Sequence, residues 1–495
     1  MNFKCLILLI AAIVKINVTE SRRDEERRRW KNNRGFSHPV NICDIQDRGS
    51  KVHCYCDTIK VKMATRADCW VFNGGIAVDD PFWSTFYTQP NIEKLVFNVR
   101  ADGGLTYIPS KVIAKLNHLK YLNIQYANIF NIPAFAFVNS TTLREIAMPK
   151  DKIMKLEKMA FAHLLMVTNL SIVENQISEI QQDVFYMLPN LQSLYLSKNA
   201  LSLLYDGCFE HLSNLIKLDL HNNLLTVVIR ENFQGLSNLI TLDMRKNKLT
   251  MIGDLAFAEL WNLQELYLDG NEIEFISERG FGGLGQLNKL SLADNKLKTL
   301  ENNVFGDIQK LTVLDLKNND LVTLRKEVVE KILENMKTHY GLISLNGNNL
   351  TCDCRLSWLH TLYNETRSKR LKNSLKYLNC IMDDKLEISL GKTIVVNTEH
   401  SPNIKQIDYR RDSEEEDLEY DKVYDDAVKN RELETVSPRR KLLHILEDKL
   451  ICSNRLHSED TFSPPTQDEV KYYQASSSEK SFFNTLLLVV FAKYF

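Results

Sequence analysis

One spacing constrains this chain more than any other property. Leucine or isoleucine returns every 24 residues, at Leu122, Ile146, Leu170, Leu194, Leu218, Leu242, Leu266, Leu290 and Leu314. Around each of them the sequence approaches L-x-x-L-x-L-x-x-N-x-L, clearest from Leu191 to Leu201 and from Leu263 to Ile273. Nine copies in unbroken register form a repeat array, in which a coil buries its apolar side only by stacking on its neighbours. A second ladder runs in phase with the first: Phe137, Phe161, Phe185, Phe209, Phe233, Phe257, Phe281 and Phe305. It belongs to the return stroke of each coil, so leucines and phenylalanines together fill the core. Asn175, Asn199, Asn223, Asn247, Asn271, Asn295 and Asn319 recur at an inward corner. There a side-chain amide satisfies backbone groups of adjacent turns, which would cost about 1 to 3 kcal/mol each if buried unpaired.

The array frays at both ends. The copy at Ile92 to Phe97 lies 27 residues before the next and has Arg100 in place of asparagine, and the following two copies carry Ala127 and Asp151 there. The last copy, Ile343 to Leu350, comes 29 residues after its predecessor, which predicts a short helix-like insertion around Lys326 to Met336. The expected fold is an α/β solenoid, a leucine-rich-repeat horseshoe of about eleven coils over 92–350, with a parallel concave sheet and disulfide-bonded N- and C-terminal caps.

The cysteines set the compartment. Of ten, Cys5 falls in an apolar N-terminal stretch, 1–21, that reads as a secretory signal peptide. Four of the rest, Cys43, Cys54, Cys56 and Cys69, precede the array, and four, Cys352, Cys354, Cys380 and Cys452, follow it. Two such clusters around a cysteine-poor middle imply two stapled caps in an oxidising compartment, after a charged linker at 22–42. Zinc is the weaker reading, because no nearby histidine pair completes a ligand set. Cys208 stands where other coils have Ala160, Ala256 and Gly280, so it is expected to be small and buried.

The segment Leu350-Thr-Cys352-Asp-Cys354-Arg-Leu356-Ser-Trp358-Leu359 resembles the C-terminal cap of extracellular leucine-rich-repeat proteins. That resemblance implies a cap at 351–402 with Cys352 bonded to Cys380 and Cys354 to Cys452, the latter across an unusually long stretch. For the N-terminal cap at 43–91, spacing alone permits three connectivities, and the resemblance implies Cys43 with Cys56 and Cys54 with Cys69. The wording His53-Cys54-Tyr55-Cys56-Asp57-Thr58, Ala67 to Gly74 and Phe257 to Leu263 is similar to the connectin family of insects. Membership would imply a cell-surface glycoprotein held by a glycosylphosphatidylinositol (GPI) anchor, engaged in homophilic cell adhesion and in neuromuscular targeting or axon guidance.

The segment 403–474 loses the apolar pattern and carries a dense acidic run from Asp412 to Asp421, the composition of a solvated, disordered loop. Small residues Ala475, Ser476 and Ser477, a polar spacer and an apolar end make 475–495 a GPI-anchor signal with those three as candidate lipidation sites. The apolar end is too short for a membrane span of about 20 residues. The expected location is the outer face of the plasma membrane, with a fully secreted product as the alternative.

No catalytic motif, phosphate-binding loop or metal-ligand pair at helical spacing is present, so neither enzyme chemistry nor a cofactor is expected. With 62 basic and 63 acidic side chains, no global field favours nucleic acid. Asp219, Asp243 and Asp315 recur between consensus leucines and are expected on an exposed strand ladder. The candidate binding surface is Lys217, Asp219, His221, Asp243, Arg245, Lys246, Glu265, Tyr267 and Asp269, a mixture of both charges and tyrosine suited to protein rather than to small apolar ligands. Glycosylation sequons stand at Asn139, Asn169, Asn349 and Asn364. Asn169 should project from the concave sheet, so a glycan there would shift binding to later coils or to another face. The expected partner is a protein on an opposed cell, with a second copy of the chain as one case. The alternative is a receptor for a heterotypic ligand, as in innate immunity.

Overall fold

The structure is a computed structural model that describes residues 40–45, 49–72, 74–137, 140–382 and 439–447 together with Leu450 and Cys452. The expected signal peptide, Asn139, the acidic run and the anchor signal with Ala475, Ser476 and Ser477 lie outside the described residues. The chain divides into two compact units, Met1–Asn199 and Ala200–Phe495.

The first unit begins with an antiparallel hairpin, Val52–Cys56 against Arg66–Val71, in which Cys54 faces Cys69. Disulfides Cys43–Cys56 and Cys54–Cys69 fasten it. Arg66–Val71 then pairs in parallel with Lys94–Val99, and the sheet continues through Tyr121–Gln125, Glu145–Ala147, Asn169–Ser171 and Ser193–Tyr195. Its central register is Leu95, Leu122, Ile146, Leu170 and Leu194, all buried. Strand residues alternate faces, so each leucine points inward and its two neighbours outward. Lys94–Val99 and Tyr121–Gln125 run for six and five residues, whereas Glu145–Ala147, Asn169–Ser171 and Ser193–Tyr195 hold three. At the start of the stack Trp83 and Phe86, from the 3-10 helix Pro81–Thr88, close over Phe97 at ring distances of 6.0 and 5.9 Å.

In the second unit Lys217–Asp219, Thr241–Asp243, Glu265–Tyr267, Lys289–Ser291, Val313–Asp315 and Leu342–Ser344 form a parallel series. Its central register is Leu218, Leu242, Leu266, Leu290, Leu314 and Ile343. The longer last step holds two single-turn helices, Lys326–Val329 and Leu333–Met336. Helices Trp358–Glu365 and Lys369–Lys376 cover the final coil, where Trp358 Nε1 donates to Leu324 O at 2.9 Å and Ser374 Oγ to Ile343 O at 3.0 Å. Disulfides Cys352–Cys380 and Cys354–Cys452 tie this cap, and Asn379–Ile381 pairs antiparallel with Arg439–Lys441.

Both internal ladders are visible in the packing. Ring centroids lie 5.3 Å apart for Phe137 and Phe161, and 5.6 Å apart for Phe233 and Phe257. Asn271 shows the amide ladder: Oδ1 accepts from Leu249 N at 3.1 Å, while Nδ2 donates to Met244 O at 3.1 Å and Leu268 O at 2.8 Å. A second asparagine column lies just ahead of the strands. Nδ2 of Asn190 donates to Leu165 O, that of Asn238 to Ser213 O and that of Asn262 to Ser237 O, at 2.7, 2.9 and 2.8 Å. Cys208 is buried and unbonded to another cysteine, with its thiol held well above its usual pKa by burial. Among the described residues, no helix is long and apolar enough to cross a membrane.

Candidate protein-recognition surface

In the second unit the residues flanking the central leucines make two outward columns. One runs Lys217, Thr241, Glu265, Lys289 and Val313, and the other Asp219, Asp243, Tyr267, Ser291 and Asp315. The backbone leaves the strand two residues later, so His221, Arg245, Asp269 and Lys317 border the second column.

Asp219 and Asp243 are 9% and 6% exposed, which corrects the expected exposed ladder. Each carboxylate folds back on the residue two positions on. Asp219 Oδ1 accepts from His221 N at 3.1 Å and lies 2.7 Å from His221 Nδ1. Asp243 accepts from Arg245 N at 3.1 Å, and the Arg245 guanidinium meets both carboxylate oxygens, Nη2 to Oδ2 at 2.6 Å and Nε to Oδ1 at 3.0 Å. Asp219, His221 and Asp243 place ligand atoms within 4.8 Å of one another, but the guanidinium holds the Asp243 oxygens that a cation would need.

Tyr267 is the centre of the patch. Arg245 lies 5.3 Å from its ring centroid and Lys289 4.9 Å, one from the coil before and one from the coil after. Its hydroxyl donates to Glu265 Oε2 at 3.0 Å. Burial raises the Tyr267 pKa against the opposing pull of Lys289, so the phenol stays a donor at neutral pH. Asp269, partnered by the Ser291 hydroxyl, is raised by burial, and Asp315 is raised to about 6 by the same cause. Lys217 and Lys246 are exposed, and Lys246 has a left-handed backbone with φ of 54°. The nine candidate residues thus fall on three successive coils. Ser291, Lys289 and Asp315 extend the same face although sequence reasoning did not single out the first two. The available signal was their position, 24 residues beyond Tyr267, Glu265 and Ser291 respectively.

Asn169 lies on the sheet of the first unit, half-buried between Glu145 and Ser193. Asn349 and Asn364 are exposed around the C-terminal cap.

The Leucine rich repeat family model matches residues 166–225, 213–273 and 261–321. Connectin of Drosophila melanogaster is 35% identical over 126 residues, which is 25% of this chain and 18% of that protein. Solved structures with similarity include the complex of Toll with Spatzle from Drosophila, at 22% identity and TM-score 0.48, covering 63% of this chain and 44% of that one. Another is the octameric complex of Latrophilin 3, Unc5D and FLRT2, at 20% identity and TM-score 0.48, covering 64% and 89%. The 24-residue register, its two internal ladders and the family-model matches make the chain a leucine-rich-repeat solenoid, similar over a quarter of its length to Connectin.

Proposed function

We propose that this chain is a GPI-anchored cell-surface adhesion molecule that engages a protein on an opposed cell, a second copy of itself included. The observation that carries the reading is the 35% identity to Connectin, together with the adhesion that this resemblance implies. The patch around Tyr267 supports it. Tyrosine and arginine are enriched where protein interfaces draw their energy; here Tyr267 stands on a strand, and Arg245, just past the end of the preceding strand, is held by its two bonds to Asp243. The small-residue, spacer and apolar order of 475–495 supports the anchor.

Expression in non-adherent cells tests both parts. Homophilic adhesion requires expressing cells to aggregate with one another and not with unmarked cells, and a GPI anchor requires a phosphatidylinositol-specific phospholipase to abolish it. Surface display without aggregation overturns homophilic adhesion. Aggregates that recruit non-expressing cells replace it with a heterotypic receptor. Persistence after phospholipase overturns the anchor.

A further inference from the structure

Near-neutral overall charge conceals a local excess in the C-terminal cap. From Thr366 to Tyr377 the chain has five basic residues and no acidic one. Ser368 caps the helix Lys369–Lys376 by accepting from Leu371 N, and Leu371 and Leu375 are buried against the last coil. That anchoring fixes the opposite arc outward. Lys369, Lys372 and Lys376 follow the three- and four-residue spacing of one helix face, and Arg370 borders it. The arc continues onto the strand Arg439–Lys441, because Lys376 and Lys441 converge on Tyr377 with Nζ 5.8 and 5.4 Å from its ring. Tyr377 itself is 55% exposed.

Several exposed lysines elsewhere pair with carboxylates, Lys111 with Asp79, Lys120 with Glu93 and Lys296 with Glu272, at 2.5, 2.8 and 2.7 Å, and others such as Lys115, Lys155 and Lys248 stand singly rather than in a row. Beside the arc, Glu334 and Glu365 both pair with Lys337. Among the described residues, no carboxylate lies within ion-pair distance of Lys369, Arg370, Lys372, Lys376 or Lys441. Neighbouring charges on such a helix face lie within the roughly 8 Å screening length of physiological salt, so their fields add.

We propose that this arc binds a linear sulfated polysaccharide. A row of cations without a carboxylate partner among the described residues fits a chain of regularly spaced anions, and the exposed tyrosine ring offers an apolar plane against which a sugar ring packs. Anionic lipid is concentrated in the cytoplasmic leaflet, so outside the cell the available polyanion is a sulfated glycan. From the proposed function this inference takes only the extracellular location.

The test uses the purified full chain on immobilised heparin, so it reads independently of cell aggregation. The chain is expected to be retained at about 0.15 M NaCl and to ignore desulfated heparin. The variant Lys369→Gln/Lys372→Gln/Lys376→Gln keeps helix-forming residues at two exposed positions and one half-buried position and is expected to bind at least about tenfold more weakly. The slope of log affinity against log salt should fall by about one per lysine. The scattered control Lys115→Gln/Lys155→Gln/Lys248→Gln removes the same charge and should bind as the parent does. Equal retention on desulfated heparin, or equal loss in the control, overturns the site. So does failure of the full chain to bind, the outcome expected if its own acidic run at 412–421 occupies the arc. Binding to phosphatidylserine vesicles without binding to heparin overturns the glycan in favour of a membrane.

Discussion

Asp151 takes the place that asparagine holds in the coils after it. Its Oδ1 accepts from Ala127 N at 2.7 Å and its own N–H donates to Asn175 Oδ1 at 2.9 Å, so half of the ladder geometry is intact. The other half is not. Asn175 Nδ2 donates to Met148 O at 2.7 Å, whereas Asp151 Oδ2 is buried without a partner. Burial raises this carboxyl from 3.8 to about 8, against the pull of the Ala127 N–H. The folded chain therefore keeps a proton that the unfolded chain releases. This contribution to stability is fully present below pH 3.8 and is lost as pH rises towards about 8, by up to about 1.4 kcal/mol per pH unit. Asp151→Asn supplies the missing N–H donors without the charge. It should raise the melting temperature at pH 8 and leave it nearly unchanged at pH 4. Thermal unfolding followed by circular dichroism at both pH values checks this, and an equal shift at each would show that titration is not the cause.

At the scale of one coil, the amide and the aromatic ring do separate work. Asn271→Ala removes the partners of Leu249 N, Met244 O and Leu268 O while leaving the apolar core filled. Each group left dry costs about 1 to 3 kcal/mol, so a loss of several kcal/mol is expected in denaturant unfolding. A loss below about 1 kcal/mol would mean that water replaces the amide. Tyr267→Ala acts on the open face instead. It should leave unfolding little changed but cut cell aggregation sharply, as removal of a tyrosine at the centre of a contact does. Undiminished aggregation by displayed protein moves the contact to another face. The leucine and phenylalanine columns were legible because stacking forces one chemistry on one position every 24 residues. The burial of Asp219 and Asp243 was not, since it comes from each carboxylate turning onto its own next-but-one residue, which the repeat pattern does not encode. The column of Asn190, Asn238 and Asn262 had a readable period, but its neighbours vary, and only the bonds to the preceding coil reveal its role. The basic arc was hidden for another reason: what matters there is that the described carboxylates beside it, Glu334 and Glu365, are turned onto Lys337, a property of packing rather than of composition.

Within the second unit, stability passes from coil to coil, because each strand touches only the strands before and after it. The cap is the last link. Trp358 and Ser374 bond the backbone carbonyls of Leu324 and Ile343, and Thr366 Oγ1 donates to Met336 O at 3.0 Å. Its two disulfides close very different loops, with separations of 28 residues for Cys352–Cys380 and 98 for Cys354–Cys452. Loop-closure entropy grows only with the logarithm of length, so the longer loop should add about 1 kcal/mol more than the shorter one. Replacing Cys354 and Cys452 by serine should therefore destabilise the cap at least as much as replacing Cys352 and Cys380. Nearest-neighbour coupling further dictates where the damage appears. Amide hydrogen exchange in either double variant should quicken most at Leu342–Ser344, less at Val313–Asp315 and least at Lys217–Asp219. Uniform quickening across all six strands of the series would instead mean that the unit unfolds as one block, with the cap holding the whole stack rather than its final coil.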